Sequence, residues 1–322
     1  MSQAYRHDTD RPLLGIALML GFCAVIPLGD AVAKILSSRI PVGQIVFARF
    51  AVQAVILFPV ALILRIPLRL DPKLLPLVIL RTLLQMAGIT SMFMALRFLP
   101  LADAVAIAFV MPFIMLLLGK YVLQEDVGLR RLGACVIGFT GTLLVIQPSF
   151  SQVGANALWP LAVAVIFALF MLVTRKIARD IDPIALQALS GGFACTGMIA
   201  LFLLGVGLSL TDFDSASLPP PGDMDLLILV GILGTGAHLM MTWSLRYAPT
   251  STLASMQYLE IPVAVLVGWL FFSEFPNTTS ACGIALTTGA GLYAVLRERQ
   301  ASRVTGSVGP SPTATGAPAS PQ

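Results

Sequence analysis

The sequence predicts an all-α integral membrane protein with ten transmembrane helices, arranged as two inverted five-helix repeats. Three observations support this prediction: the apolar composition, ten long apolar runs, and a residue pattern that occurs twice. Apolar residues make up 57% of the 322 residues and charged residues only 11%, whereas charged residues form about a quarter of an ordinary soluble domain. A soluble fold of this length needs more polar surface than this composition supplies.

Ten apolar runs are long enough to cross a bilayer as helices, which requires roughly 17–25 residues each. The runs are too continuous for barrel strands, and a helix satisfies its own backbone polar groups in lipid. The first run imitates a cleavable signal peptide, but Lys34 and Pro41, which follow it, recur in the second half, so we interpret it as a true span. The predicted spans cover about residues 13–33, 43–64, 75–96, 101–120, 131–147, 157–174, 184–208, 225–245, 251–272 and 280–296.

Six residues of the first half recur in the second half at offsets of 149 or 150 residues, and three earlier residues recur at 142 or 143. Five spans per half is an odd number, so the second half must enter the membrane from the opposite side. The repeats are therefore inverted about a pseudo-twofold axis in the membrane plane, an arrangement that exposes a central site alternately to the two faces. The matched residues are Lys34, Pro41, Gln44, Arg97, Pro100, Pro112, Glu125, Gly133 and Gly141, with Lys176, Pro183, Gln187, Arg246, Pro249, Pro262, Glu274, Gly283 and Gly291.

The distribution of basic residues predicts the orientation. With a cytoplasmic N-terminus, the loops on that side carry fifteen Lys and Arg residues, and the opposite loops carry only Lys34, Arg39 and Arg97. Because basic residues favour the cytoplasmic side, we expect both termini there, in a multi-pass protein of the bacterial inner membrane. The predicted domains are a cytoplasmic segment, two repeats and a disordered cytoplasmic tail, at residues 1–12, 13–147, 157–297 and 301–322.

Ionisable residues inside the spans are the candidates for a transport site, because such groups are costly in a membrane unless they face a cavity or a partner. Glu260 lies near the middle of the ninth run, just before Pro262, which should bend the helix. Gln257 and Tyr258 add polar groups to the same turn. We interpret Glu260 as a substrate-binding or proton-carrying carboxylate, with a buried structural glutamate as the alternative.

His238 and Gln85 are two further candidates. His238 lies near the middle of the eighth run, where it either titrates, binds a ring-shaped ligand, or joins two helices by a hydrogen bond. Gln85 lies in the third run, one turn after Arg81. We expect Arg81 to extend to the inner membrane interface, which makes Gln85 the better cavity candidate of the two.

Arg49 lies about two turns into the second run from the outer side. We expect it to pair with Asp30 or Asp103, either as an external gate and anion-attracting vestibule or as a static ion pair. Asp30 and Lys34 are spaced four residues apart and are expected to satisfy each other. Arg49, Asp103, His238 and Glu260 each occur in one half only, so the predicted site lies where the symmetry fails.

Other notable residues are assigned to the scaffold. Glu125 and Glu274 are repeated, but each ends a span, so we interpret them as structural residues at helix ends. The glycines of the fifth and tenth runs form small faces for close helix packing. The four cysteines are isolated in apolar runs and have no metal-ligand spacing, so we expect neither a metal nor a cofactor.

Three short motifs resemble a known family. They are Arg49-Phe50 at the head of the second run, Pro100-Leu-Ala-Asp-Ala leading to Pro112, and Glu125 followed by Gly133 and Gly141. Together they resemble the EamA-type branch of the drug/metabolite transporter superfamily, over roughly residues 13–297. The resemblance implies a cavity formed by spans 1–4 and 6–9, with spans 5 and 10 as peripheral supports. Some prokaryotic members that look similar carry riboflavin or S-adenosylmethionine.

The sequence thus predicts a secondary transporter of a small organic metabolite, such as riboflavin or another vitamin, or an amino-acid or nucleoside-type compound. Transport would be gradient-driven or facilitative, since the chain contains no nucleotide-binding P-loop. An intramembrane enzyme and a channel are the alternatives, although no catalytic motif or filter pattern supports either. The expected partners are the small-molecule substrate, the lipid bilayer and, as an option, a second copy in a homodimer. Scattered basic residues disfavour nucleic acid.

Overall fold

The fold is helical throughout the part of the chain that the structure describes. The computed structural model describes residues 11–124, 132–133, 136–144, 153–208, 220–290 and 293. In chain order the helices are α1 (Pro12–Ser37), α2 (Val42–Ile63), α3 (Leu75–Leu96), α4 (Leu101–Ala108), α5 (Met111–Tyr121), α6 (136–144), α7 (Leu158–Ile177), α8 (Pro183–Leu208), α9 (Met224–Tyr247), α10 (Thr250–Met256), α11 (Glu260–Phe272) and α12 (278–290).

Seven helical stretches among the described residues are long and apolar enough to cross a membrane, and one shorter apolar helix covers Gln257–Phe272. These eight correspond to predicted spans 1–4 and 6–9, while α6 and α12 fall within predicted spans 5 and 10. Large apolar side chains such as Val55, Leu203 and Leu270 are more than half exposed on the outside of the bundle. A contiguous apolar exterior of this kind is suited to contact with lipid.

Predicted spans 4 and 9 are each broken near the middle, at matching places in the two halves. The first break separates α4 from α5, just before Pro112. The second is a 3₁₀ turn, Gln257–Leu259, between α10 and α11, and Pro262 follows it. Proline supplies no backbone N–H and is favoured in the first turn of a helix. The repeated prolines therefore lie in the first turn of a new helix inside each span, and the bend expected at Pro262 takes this form.

The helix packing follows the duplication of the sequence. α1 packs along α9, and α3 packs along α7, which is the same contact with the two halves exchanged. In the same way α11 packs on α1, and α5 packs on α7. α2 packs against its own counterpart, α8. Each half therefore folds mainly against the other half, and the space between them becomes the centre of the molecule.

Glycines allow the closest helix approaches. A Cβ at Gly231 of α9 would lie 2.7 Å from Cγ1 of Val52 on α2, and one at Gly141 of α6 would lie 2.6 Å from the carbonyl oxygen of Gly283 on α12. Contacts this short exclude any side chain. The small faces predicted for spans 5 and 10 are confirmed at Gly141, where α6 packs on α12, whereas a Cβ at Gly133 or Gly289 would meet nothing within 4 Å.

Candidate substrate cavity

A cavity lies between the two halves, and its walls are mostly apolar. Both halves contribute, through α1 to α5 from the first and α7, α9 and α11 from the second. The resemblance also implies a contribution from span 7, but no described residue of α8 lines the cavity. The lining includes the aromatic side chains Phe22, Phe93, Phe109 and Phe167, and the ionisable side chains Asp30, Arg49, His238 and Glu260.

Arg49 and His238 form a hydrogen-bonded pair in the cavity wall. One terminal nitrogen of Arg49, Nη2, lies 2.9 Å from Nδ1 of His238 and 3.4 Å from the carbonyl oxygen of Gly234. Nδ1 of His238 also lies 3.1 Å from the carbonyl oxygen of Gly234. Because arginine only donates, we assign Nδ1 as the acceptor of the Arg49 contact and place the proton of the neutral imidazole on Nε2. In the described part of the chain, neither Nε2 of His238 nor Nη1 of Arg49 has a hydrogen-bond partner. With this tautomer, both nitrogens are donors available to a ligand.

Aromatic rings surround the imidazole of His238. Phe22 and Phe167 meet it edge-on, with ring centroids 6.0 Å and 5.8 Å away, and Phe170 lies 6.0 Å away at a tilt. Rings at these separations pack favourably and fix the orientation of the imidazole. A planar ligand beside His238 would meet faces or edges of these rings.

Two carboxylates, Asp30 on α1 and Glu260 at the start of α11, also line the cavity. They are 7% and 8% exposed, so both are buried. Asp30 interacts electrostatically with both Arg49 and Glu260. However, the ion pairs found among the described residues, Lys34–Glu274 and Arg39–Asp223, include neither carboxylate.

The pairing expected for Lys34 is wrong. Lys34 forms an ion pair with Glu274 and donates to the carbonyl oxygen of Leu99 at 3.1 Å, so it does not satisfy Asp30. The other oxygen of Glu274 accepts the N–H of Leu101 at 2.9 Å, at the first turn of α4. A carboxylate at this point compensates the free N–H groups of a helix start. Glu274 therefore joins the two halves at what we call the Lys34 end of the bundle.

Arg81 does not extend to the membrane interface, contrary to expectation. Its side chain is 0% exposed and stacks over the ring of Phe170 at 4.8 Å. It donates to Thr174 at 3.0 Å, Ser190 at 2.7 Å and Thr242 at 3.4 Å, which belong to α7, α8 and α9. The expectation assumed that only the interface could satisfy the charge, whereas hydroxyl groups of the other half do so.

Gln85, Gln257 and Tyr258 are buried but do not line the cavity. Gln85 accepts from Arg81 at 3.4 Å, and Gln257 contacts the sulfur of Met171 at 3.3 Å. Tyr258 packs between Phe109, with ring centroids 5.6 Å apart, and α6. Of these three predicted site residues, Tyr258 contacts a lining residue, Phe109, and the other two pack behind the cavity wall.

Asp103 lies in the first turn of α4, near the Lys34 end, and is not part of the cavity lining. The described hydrogen bonds of Arg49 go to His238 and Gly234, not to Asp103 or Asp30 as expected. Among the seven predicted site residues, the structure thus brings Arg49, His238 and Glu260 together in the cavity and places Asp103 away from it.

The sequence reasoning missed Asp30 as a site residue, although a signal was present. Phe22, Ile26, Gly29 and Asp30 recur at spacings of four, three and one along α1, and all four line the cavity. Residues at these spacings share one face of a helix. An aspartate on a face that is otherwise apolar and aromatic indicates an inward-facing group, even though Lys34 follows one turn later.

A family model and a solved structure both match this chain over most of its length. The model of the EamA-like transporter family matches this chain twice, at residues 13–147 and 155–296. A crystal structure of a protein that is 18% identical superposes with a TM-score of 0.67, over 89% of this chain and 98% of that chain, which supports the fold.

Curated relatives are transporters. A riboflavin transporter of Brucella anthropi is 28% identical and covers 70% of this chain and 78% of its own length. An S-adenosylmethionine uptake transporter of Rickettsia prowazekii is 22% identical and covers 89% of this chain and 94% of its own length. A riboflavin transporter of Vibrio cholerae is 23% identical and covers 91% of this chain and 96% of its own length. With both halves matched by the same model, this multi-pass membrane protein is a transporter, and it belongs to the EamA-like transporter family.

Proposed function

We propose that this protein carries a small organic metabolite across the bacterial inner membrane by alternating access, without ATP hydrolysis. The observation that carries the proposal is the cavity between the halves, where Asp30, Arg49, His238 and Glu260 face an otherwise apolar space. Ionisable groups in such a position are characteristic of substrate and ion pathways. Two inverted halves that pack mainly on each other supply a route for rocking one half against the other.

The cavity favours a cargo with a flat ring and several polar atoms. Phe22, Phe109 and Phe167 offer aromatic surface, while Arg49 and His238 offer donors to an acceptor group. Riboflavin has this character, and so do nucleoside-type compounds such as S-adenosylmethionine. The names of the relatives support testing these two compounds first.

The proposed substrate-binding or coupling residues that line the cavity are Arg49, His238 and Glu260. Gln85, Gln257 and Tyr258 would act by holding these residues in place, through Arg81, Met171 and Phe109. Asp103 would contribute at the Lys34 end, where cargo enters or leaves.

A ligand screen followed by uptake tests this function. Purified protein is heated with riboflavin, S-adenosylmethionine, amino acids or nucleosides, and compounds that raise the melting temperature are then tested as labelled cargo in proteoliposomes. We expect at least one compound to stabilise the protein and to show saturable uptake. Stabilisation by none of them, together with no saturable uptake, would reject a metabolite transporter of this class.

We further propose that both termini are cytoplasmic, so that the Lys34 end faces the periplasm. Basic residues support this orientation, since the loops opposite the Lys34 end hold most of the Lys and Arg residues. Fusions of green fluorescent protein and of alkaline phosphatase to the C-terminus test it. The green fluorescent protein fusion should fluoresce and the alkaline phosphatase fusion should be inactive. The reverse result would place the C-terminus in the periplasm and contradict this orientation.

A further inference from the structure

Asp30 and Glu260 are a pair of cavity-facing carboxylates contributed by different halves. Asp30 lies on α1 and Glu260 begins α11, and these two helices pack directly on each other. Each carboxylate is more than nine-tenths buried, and in the described residues neither forms an ion pair. Two negative charges that face the same apolar space repel each other, so the site requires positive charge.

Among the described residues, no cation forms an ion pair with either carboxylate. Arg49 interacts electrostatically with Asp30 but directs Nη2 to His238, and Lys34 pairs with Glu274. Cys23 interacts electrostatically with Glu260, and Asp30 is the titratable side chain that α1 contributes to the cavity lining. The charged or titratable groups on the helices around the pair are Cys23 on α1, Arg49 on α2 and His238 on α9, with Arg81 on α3 behind His238 and Asp103 on α4 outside the cavity lining.

A proton fits this pair better than a metal ion does. Among the described residues, no group of three or more His, Cys, Asp or Glu side chains could hold a metal ion. Ions such as Ca²⁺ take six to eight oxygen ligands, but the cavity wall beside the pair is built from apolar residues such as Ile26, Val105 and Ala108. One proton bound by either carboxyl group removes one charge and needs no further ligand.

We propose that Asp30 and Glu260 bind the proton that couples transport to the proton gradient, while Arg49 and His238 hold the cargo. This inference rests on the proposed transport function. The free donors of the cavity, Nη1 of Arg49 and Nε2 of His238, suit an acceptor group of the cargo. The two carboxylates come from opposite halves, so a movement of one half against the other changes their separation and with it their hold on the proton.

Two assays on the same proteoliposomes distinguish coupling to the proton gradient from movement of the cargo itself. Exchange of labelled for unlabelled cargo is measured at equal pH, and net uptake is measured with a pH gradient that is acidic outside. The cargo is riboflavin or S-adenosylmethionine, whichever the wild type exchanges. We expect Asp30→Asn and Glu260→Gln each to lower the ratio of gradient-driven uptake to exchange at least tenfold. Asp223→Asn, which alters a buried carboxylate outside the cavity, is the matched control and should keep the ratio.

The carboxylate-retaining variant Glu260→Asp and a chemical label guard against misfolding. Dicyclohexylcarbodiimide reacts with protonated carboxyl groups in apolar sites, so mass spectrometry of the treated wild type should find the adduct on Asp30 or Glu260 and not on Asp223. Glu260→Asp should keep at least a third of the wild-type ratio.

Other results would overturn the inference. The proposal that this pair binds the coupling proton is rejected by any of three results. These are an unchanged ratio in both neutral variants, an equal loss of exchange and driven uptake, or no labelling of either carboxyl group. If the wild type exchanges neither compound and none from the ligand screen, the proposed transport function itself fails, and the coupling falls with it.

Discussion

Arg49 and Gly234 are in direct contact, and the Arg49 side chain occupies the space that a side chain at residue 234 would fill. The guanidinium of Arg49 crosses directly over the Cα of Gly234, where a Cβ would lie 2.7 Å from both Cζ and Nη2 of Arg49. This passage brings Nη2 within 2.9 Å of His238. The absence of a side chain at residue 234 therefore determines where the cation of the cavity lies.

Gly234→Ala should impair transport without unfolding the protein. The new methyl group displaces the end of a flexible side chain and breaks the Arg49–His238 contact, and hydrogen bonds to charged groups are worth about 1.5–3 kcal/mol. We expect uptake to fall roughly 10- to 100-fold, in line with that energy. Gly236→Ala is the matched control, because a Cβ at Gly236 meets nothing within 4 Å. Equal uptake by the two alanine variants would show that the position of Arg49 does not matter.

His238→Asn and His238→Leu should differ in their effect. The Asn side chain places an oxygen near the position of Nδ1 and can still accept from Arg49. Leu leaves Nη2 of Arg49 only its 3.4 Å contact with the carbonyl oxygen of Gly234, and a poorly satisfied buried donor costs up to about 1–3 kcal/mol. We expect the Leu variant to have the lower melting temperature and no more than a tenth of the uptake of the Asn variant. Indistinguishable variants would argue that His238 acts through Nε2 alone.

The ion pair of Lys34 with Glu274 should stabilise the contact between the two halves at the Lys34 end. Both side chains are partly buried, at 16% and 26% exposure, so the pair should contribute on the order of 1 kcal/mol. Glu274→Gln and Lys34→Met should each lower the melting temperature, and the double variant should lose little more than either single variant. Fully additive losses in this double-mutant cycle would mean that the two residues act independently.

Arg81→Met should fold at least as stably as Arg81→Lys. Thr174 and Thr242 also donate to carbonyl oxygens of their own helices, at 2.7 Å each, so both hydroxyls stay satisfied when the guanidinium is removed. Replacing a buried charge by an apolar side chain of similar size is often neutral or stabilising. Lysine keeps the charge but lacks the planar fork that reaches three hydroxyls. Melting temperatures in detergent check this order, and a Met variant that melts well below the Lys variant would contradict it.

Much of the fold could be predicted because the membrane restricts the possible structures. Long apolar runs must be helices, and Pro262 indicated a bend in the ninth run, where the structure has a break between α10 and α11. The cavity residues Arg49, His238 and Glu260 could be predicted for the same reason, since an ionisable group within a span must face a cavity or a partner.

The errors concern partners that are distant in the sequence. Lys34 has a local candidate in Asp30, four residues earlier, but it pairs with Glu274, 240 residues later. Arg81 lies close enough to a span end to suggest the interface, and its hydroxyl partners lie on three helices of the other half. Spacing along one helix predicts a residue's depth in the membrane and the side of the helix on which it lies. It does not predict which side chains of the opposite half contact that side.

Counterflow tests alternating access most directly. Proteoliposomes are loaded with an excess of unlabelled cargo, diluted into labelled cargo, and sampled over time at equal pH and without a membrane potential. A carrier whose cavity opens to one side at a time predicts that internal cargo accelerates entry of the label, with a transient accumulation above the external concentration. Entry that rises linearly with concentration and ignores internal cargo would indicate a channel and would contradict alternating access between the two halves.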